Sequence, residues 1–106
     1  EETSPDYIDI KANRKIKRLQ FKDIVFIESL GDYVKVHTSQ DTITTKEKIS
    51  SFEERLPGTD FVRTHRSFII SKSKVKEFTK EKVKLADQLI PISRTFKEQT
   101  LKALSS

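Results

Sequence analysis

Apolar and polar residues alternate over short segments of the chain with the two-residue period of β-strands. Residues 7–10 and residues 33–38 show this alternation most clearly. The apolar residues in both segments are β-branched, as is typical of strands. We therefore predict two strands, each with one buried face, formed by Ile8 and Ile10 in the first and by Val34 and Val36 in the second.

A continuous apolar run at residues 24–27 predicts a central strand that is covered on both faces. The dipeptide Gly31-Asp32 connects this region to residues 33–38 and predicts a hairpin. Pro91 lacks an amide hydrogen, which excludes its apolar neighbourhood from the middle of a sheet. Further short strands are predicted at residues 16–21 and 42–44, whereas the apolar residues 89–92 are expected to lead directly into the last helix. We count roughly seven or eight strands in all.

A first helix is predicted over residues 45–56, after Thr44 as its cap. Thr44 and Glu47 have the spacing of a capping box, and Pro57-Gly58 ends the segment. The apolar residues recur at helical spacing and form one stripe that packs on the sheet, namely Ile49, Phe52 and Leu56.

A second helix is predicted over residues 93–104. Ser93 is a suitable N-cap, while Thr95 and Glu98 offer a second capping box. The residues expected to face inward are Phe96, Thr100, Ala103 and Leu104. Arg94 and Lys97 then remain outside, near free amides of the first turn that favour anions.

The chain reads as one β-rich domain with two helices. Its 106 residues suffice for a single modest core. Residues 1–6 are acidic, contain Pro5 and lack periodicity, so they are interpreted as the end of a linker. The domain is predicted over residues 7–104.

Residues 61–71 combine apolar ends with a polar centre. The ends have strand composition, whereas the centre holds Arg63, His65, Arg66 and Ser67, which are costly to bury without partners. This composition suits a segment whose two ends are buried as strands and whose polar centre is exposed to contact a partner. The alternative is that these side chains only lie on a solvated strand end.

Lysines fall on alternate residues after this segment, at Lys72, Lys74, Lys76, Lys80, Lys82 and Lys84. Two strands with a bend near residues 79–81 would gather them on one face, and Lys72 and Lys74 would share a strand face near the polar centre. The alternative is that they guard an exposed sheet edge against association.

Charge is distributed unevenly along the chain. Residues 1–53 hold nine Lys or Arg and ten Asp or Glu (9 − 10 = −1), whereas residues 54–106 hold twelve and six (12 − 6 = +6). A basic half favours a polyanionic partner such as nucleic acid. No apolar run approaches the length of a membrane span, and the absence of cysteine suits a reducing compartment.

Few residues offer catalytic chemistry. With two glycines, Gly31 and Gly58, a Gly-rich phosphate loop is excluded, and neither His37 nor His65 has a recognised metal-ligand spacing. The remaining enzymatic alternative is a phosphodiesterase with His65 as general base and Arg66 as a transition-state clamp. Exposed donors instead favour a recognition module, so we predict no enzyme, no metal and no cofactor.

Five segments, in this order and spacing, resemble the LytTR DNA-binding domain of bacterial LytR/AlgR-type response regulators. They are Phe26-Ile27-Glu28-Ser29, Tyr33-Val34-Lys35-Val36, Leu56-Pro57, residues 61–70 and Ile90-Pro91-Ile92-Ser93-Arg94. The resemblance implies an elongated β-fold of short antiparallel strands that inserts loops into successive major grooves along one face of DNA.

The resemblance also implies where bases are read. The implied positions are the turn at residues 30–33, which includes Asp32 and Tyr33, together with Arg66 and Arg94. The planar fork of arginine matches the two acceptors of guanine, and an aspartate can accept from a cytosine amine. The family often has asparagine where this chain has Ser71. Phosphate contacts are expected from Lys35, His65, Ser67, Lys72, Lys74 and Lys97.

The partner expected from the resemblance is double-stranded DNA with repeated half-sites, bound in the bacterial cytoplasm by the output domain of a two-component regulator. A receiver domain is expected before residue 1. The isolated domain should be monomeric, because the sequence has no heptad seam. The alternative from composition is a basic module that docks acidic proteins.

Overall fold

The computed structural model describes residues 7–58, 60–85 and 88–105. Within them, ten short strands and two helices follow one another, with single 3₁₀ turns at Phe21–Asp23 and Lys72–Lys74. The helices are α1 (Ile49–Arg55) and α2 (Lys97–Ser105). The strands are β1 (Tyr7–Ala12), β2 (Lys15–Gln20), β3 (Ile24–Leu30), β4 (Tyr33–Thr38), β5 (Thr42–Thr45), β6 (Phe61–His65), β7 (Phe68–Ser71), β8 (Val75–Phe78), β9 (Lys82–Leu85) and β10 (Gln88–Pro91).

The predicted β-rich fold with two helices is confirmed, although the strands exceed the predicted number. Residues 61–71 form two strands joined by a turn at residues 66–67, so the two ends of strand composition belong to separate strands. The predicted linker at residues 1–6 lies outside the described residues. The described part of the chain extends over 39 × 39 × 23 Å.

The strands form three antiparallel sheets. The largest has the order β5-β4-β3-β7-β6, the second has the order β10-β9-β8, and β1 pairs with β2. Strand β3 therefore occupies the centre of the five-stranded sheet, as its apolar run predicts. Pro91 is the last residue of an edge strand, where its missing amide costs no ladder bond.

Two hydrophobic cores cover the two faces of the five-stranded sheet. The first lies under the β1–β2 hairpin and α1, and it contains Ile24 and Ile27; the second lies under the three-stranded sheet and α2, and it contains Phe26. Ile24 and Ile27 share a face because the register of β3 shifts between Ile24 and Phe26. Such a bulge adds one residue to a strand and changes which side chains share a face.

Helix α1 begins four residues later than predicted, at Ile49 rather than at residue 45. Thr44 belongs to β5 and pairs with Lys35, so it is not available as a helix cap. Lys48 occupies the N-cap position without a side-chain hydrogen bond, and Glu47 pairs instead with Arg55 at 2.8 Å. The capping box prediction is therefore wrong. The predicted stripe is confirmed, because the structure buries Ile49, Phe52 and Leu56.

Helix α2 begins at Lys97 rather than at residue 93. The backbone N–H of Ser93 donates to the carbonyl of Thr64 at 2.9 Å, and its hydroxyl is buried without a partner among the described residues. Ser93 therefore continues the contact between β10 and β6 and is not an N-cap. The predicted inward position of Thr100 is confirmed by its complete burial.

The lysines after β7 are not arranged as predicted. Lys72 and Lys74 lie in a 3₁₀ turn, so they do not share a strand face. Strand β8 starts only at Val75 and pairs with β9, where Val83 and Leu85 are buried. The alternation predicted for residues 82–85 is therefore confirmed, with Lys82 and Lys84 on the outer face.

Candidate nucleic-acid interface

Two turns lie side by side at one end of the five-stranded sheet. Strand β3 runs toward this end and β7 runs away from it, and the N–H of Ser29 donates to the carbonyl of Ser67 at 2.8 Å. The turn between β3 and β4 thus neighbours the turn between β6 and β7. We call this the tip end of the sheet, formed by the turns at residues 31–32 and 66–67.

The β3–β4 turn has two residues, Gly31 and Asp32, between the paired residues Leu30 and Tyr33. Gly31 has a φ of +67°, which a glycine adopts without steric cost. The side chains around it point into solvent, since Asp32 is exposed and Tyr33 is 48% exposed. The turn therefore presents an acceptor and a phenol at the tip end.

The β6–β7 turn is held from beneath by Arg63. Its guanidinium donates from Nε to the carbonyl of His65 at 2.9 Å and from Nη2 to the carbonyl of Arg66 at 2.6 Å. Nη1 contacts Glu53 at 2.6 Å, and the Phe96 ring lies 5.4 Å from the guanidinium carbon. The Arg63 side chain is only 11% exposed, so it fixes the turn without being available to a ligand.

The remaining groups of this turn have distinct positions. The Nδ1 atom of His65 accepts the N–H of Ser67 at 3.1 Å, and Nε2 has no hydrogen-bond partner among the described residues. Arg66 is exposed, and its side chain has no hydrogen bond or ion pair within the part of the chain that the structure describes. The turn therefore projects one unpaired guanidinium outward.

Arg94 reaches the same region from the other side of β6. The bond from Ser93 to Thr64 ties its turn to β6 next to His65, and α2 is fixed to β6 because Thr100 Oγ1 donates to the carbonyl of Arg63 at 3.2 Å. Arg94 is exposed, and Lys97 follows it at the first position of α2, where it is partly buried.

Lys35 lies on β4 beside the tip end. In the ladder between β3 and β4, Lys35 lies opposite Glu28, two residue pairs from the turn. Glu28 also contacts His37 Nε2 at 3.2 Å, and His37 stacks on Phe26 with ring centroids 4.1 Å apart. This cationic side chain thus lies on the same sheet face as a partly buried polar pair.

The structure brings most of the predicted site residues to the tip end, but not all of them. Asp32, Tyr33, His65, Arg66, Ser67 and Arg94 lie there, with Lys35 and Lys97 adjacent. Lys72 lies at the opposite end of β7, where its N–H donates to the carbonyl of Asp60 at 2.9 Å, and Lys74 follows it. A four-residue strand measures about 13 Å, and this length separates the two lysines from the tip end.

Among the described residues, no group of three or more His, Cys, Asp or Glu side chains is placed to hold a metal ion. None of the helices described has the length and apolar character needed to cross a membrane.

A model of the LytTr DNA-binding domain matches residues 14–105 of the chain. The chain belongs to the LytTR DNA-binding domain family. The resemblance drawn from the five sequence segments is thereby confirmed.

Named relatives of this LytTR domain are regulatory proteins. The sensory transduction protein LytT of Bacillus subtilis is 30% identical over 101 residues, covering 90% of this chain and 42% of that protein. The transcriptional regulatory protein NatR of B. subtilis is 36% identical over 70 residues, covering 66% and 30%. The transcriptional regulatory protein LytR of Staphylococcus aureus is 31% identical over 70 residues, covering 66% and 28%. The chain thus spans less than half the length of these relatives.

A solved structure has the same fold. The LytTr DNA-binding domain from Bacillus cereus superposes with a TM-score of 0.81 over 97% of this chain and all of that one, at 22% identity. The arrangement of strands and helices described above is therefore the LytTR fold.

Two features of this surface were missed by the sequence analysis. Arg63 was grouped with the presented side chains, although its contacts make it the support of the turn. Residues 11–22 contain six Lys or Arg and no Asp or Glu. The acidic residues in the rest of residues 1–53 offset these six charges, so the net charge of that half did not show the basic stretch. A count in a shorter window would have found it.

Proposed function

We propose that this LytTR domain binds double-stranded DNA in a sequence-specific manner, with the tip end of the sheet entering the major groove. One observation carries the proposal: three segments far apart in sequence meet at the tip end through two backbone hydrogen bonds, Ser29 to Ser67 and Ser93 to Thr64. These are the segments that the family resemblance associates with base reading.

Each tip-end side chain has a role in this proposal. Arg66 and Arg94 donate to guanine O6 and N7, because both are exposed and the fork matches two acceptors. Asp32 accepts from a cytosine amine, and Tyr33 packs beside it against the base edges. His65, through Nε2, together with Ser67, Lys35 and Lys97, contacts phosphates on either side of the groove.

Lys72 and Lys74 are left out of this core contact set. Both lie at the opposite end of β7 from the tip end, on the 3₁₀ turn. They supply a matched pair of cations for the binding experiments described below.

The proposal extends to the whole regulator. Because the chain spans only part of its relatives, we propose a receiver domain as its partner in the full-length protein, with two similar half-sites on the DNA and transcription regulation in the bacterial cytoplasm as the outcome.

The domain alone should be monomeric. Analytical ultracentrifugation at micromolar concentration tests this, and a stable dimer without DNA would contradict it.

Selection of bound oligonucleotides from a random duplex pool tests sequence-specific binding. We expect enrichment of one motif with guanines at two positions. An unenriched pool would overturn the proposal and favour a module that docks acidic proteins. The same pool, incubated with a divalent metal and run on a gel, tests the phosphodiesterase alternative, which requires cleaved DNA.

A further inference from the structure

The β1–β2 hairpin crosses the edge strand β5 next to the tip end. The hydroxyl of Thr45 donates to the carbonyl of Lys11 at 2.6 Å, which ties β1 to β5. Thr45 pairs with Val34, the neighbour of Tyr33. The Lys11 end of the hairpin therefore lies beside the β3–β4 turn, on the side of the sheet opposite to Arg94.

The hairpin carries its positive charge at this end. Its two-residue turn consists of Asn13 and Arg14, with φ values of +53° and +64°, and Ala12 pairs with Lys15 across it. Such a turn is the tight connection that strand twist favours in hairpins. Arg14 is therefore held in a defined position at the hairpin end rather than on a long loop.

Only some of the cations in residues 11–22 are neutralised. Arg18 is held by Asp9 at 3.0 Å, and this hydrogen bond lowers the pKa of Asp9. Lys17 lies 3.9 Å from Asp41. Four exposed cations at this end of the hairpin or beside it have no ion pair among the described residues, namely Lys11, Arg14 and Lys15 on the hairpin and Lys46 directly after β5. We call these four residues the hairpin patch. Lys22 is also exposed and without an ion pair in the described part of the chain, but it precedes β3 at the other end of the sheet.

The hairpin patch continues the line of the tip end. Across the sheet, the order is Arg94, the β6–β7 turn, the β3–β4 turn, Lys46 and then the hairpin, as the strand order and the Thr45 pairing require. Five strands span about 19 Å at a spacing near 4.8 Å, a little more than half of a DNA helical turn of about 34 Å. DNA that runs along the tip end would therefore pass the hairpin patch just outside the segment read by the turns.

The chemistry of the patch favours phosphate over a protein surface. Four cations without carboxylate partners provide the electrostatic contact that a DNA backbone needs. The one strongly exposed apolar residue on the hairpin is Ile16, at 71% exposure. A single exposed apolar residue is ordinary on a protein surface and does not form a docking patch.

We propose that the hairpin patch is a second DNA contact, which binds backbone phosphates flanking the recognised sequence on the side away from Arg94. This inference rests on the proposed function, because it needs a DNA that lies along the tip end. It predicts a longer footprint than the three turns alone would produce, extended at one end only.

The test uses three forms of the selected duplex. The first is the shortest form that binds with high affinity. The second and third are extended at the left or the right end by about ten base pairs, which is one turn of B-DNA. The variant carries Lys11→Gln, Arg14→Gln and Lys15→Gln. The matched control carries Lys22→Gln, Lys72→Gln and Lys74→Gln, which removes the same charge at the opposite end of the sheet. Thermal unfolding checks that both variants fold, and Arg14→Gln alone replaces the triple variant if it does not fold.

We expect the wild-type chain to bind one of the two extended duplexes more tightly than the short one. On that duplex the hairpin variant should bind roughly tenfold more weakly, with a log K against log salt slope flatter by about 0.9 for each phosphate that is no longer neutralised. On the short duplex and on the other extended duplex it should match the wild type. The control should match the wild type on all three.

Two results would overturn the inference. One is equal binding of the hairpin variant and the wild type on every duplex; the other is a weakening that does not depend on duplex length or that the control variant reproduces. Failure of the proposed function would be recognised separately, because the wild-type chain would then enrich no motif in the oligonucleotide selection.

Discussion

The Arg63 guanidinium lies directly beneath Arg66 and donates from Nη2 to its carbonyl oxygen at 2.6 Å. One arginine thus holds the backbone from which the other projects. The buried cation is compensated by Glu53 at 2.6 Å and by the His65 carbonyl, as a charge with 11% exposure requires. The backbone that carries the exposed Arg66 guanidinium is therefore held in place by a side chain anchored in the protein, and not left to a flexible loop.

Arg63→Lys should therefore weaken binding to the selected duplex, although the guanidinium of Arg63 is bound within the protein. Lysine keeps the charge but loses the fork that joins two carbonyls and a carboxylate. We expect a loss of roughly tenfold in specific affinity, equivalent to about 1.4 kcal/mol, and a loss of about 1.5–3 kcal/mol in the free energy of unfolding. Fluorescence anisotropy and urea unfolding measure the two quantities.

The matched control is Arg55→Lys. Arg55 is also forked, between Glu47 and the carbonyl of Asp9 on β1, but it donates to neither of the turns at residues 31–32 and 66–67. It should lower stability without changing the ratio of specific to nonspecific affinity. If both variants changed that ratio equally, the support role of Arg63 would be rejected.

Arg66→Ala and Arg94→Ala should each cost about 1–3 kcal/mol on the selected duplex and much less on a scrambled one. The reason is that a forked bond to guanine exists only where guanine is present. Titrations on the two duplexes measure the specificity ratio, which should shrink for both variants. Equal losses on both duplexes would identify the arginine as a phosphate anchor instead.

Lys35→Ala and Lys97→Ala should weaken both duplexes alike and flatten the salt slope by about one unit each. Lys72→Ala and Lys74→Ala should leave the slope unchanged, because the length of β7 separates them from the tip end. Titrations at several salt concentrations check both expectations. A flatter slope for the second pair would mean that the DNA wraps around to the opposite end of the sheet.

Phe52→Ala should destabilise the domain by about 3–5 kcal/mol. Phe52 is fully buried in the first core, and truncation of a packed aromatic side chain leaves a cavity. The exposed Lys80→Ala is the control and should change the free energy of unfolding by less than about 0.5 kcal/mol. Similar melting temperatures for the two variants would show that α1 does not pack on the sheet in this way.

The sequence by itself determined the elements whose evidence is local. Burial is encoded in side-chain hydrophobicity, so the alternation at Val34 and Val36 and the stripe of Ile49, Phe52 and Leu56 identified core positions that the structure confirms. The five family segments likewise lie within the chain itself and were sufficient for the family. The choice of Arg66 and Arg94 as base readers also comes from them and stays a prediction.

Tertiary structure alone decided the features that depend on distant backbone groups. A free amide or carbonyl can bond to a local cap or to a ladder, and a cap signal does not show which partner wins. Thr44 joined the β4–β5 ladder, and Ser93 bonded to Thr64, so both helices begin later than their cap signals predict. The meeting of three segments at the tip end and the position of the hairpin patch beside that end follow from long-range bonds of this kind, which no local pattern contains.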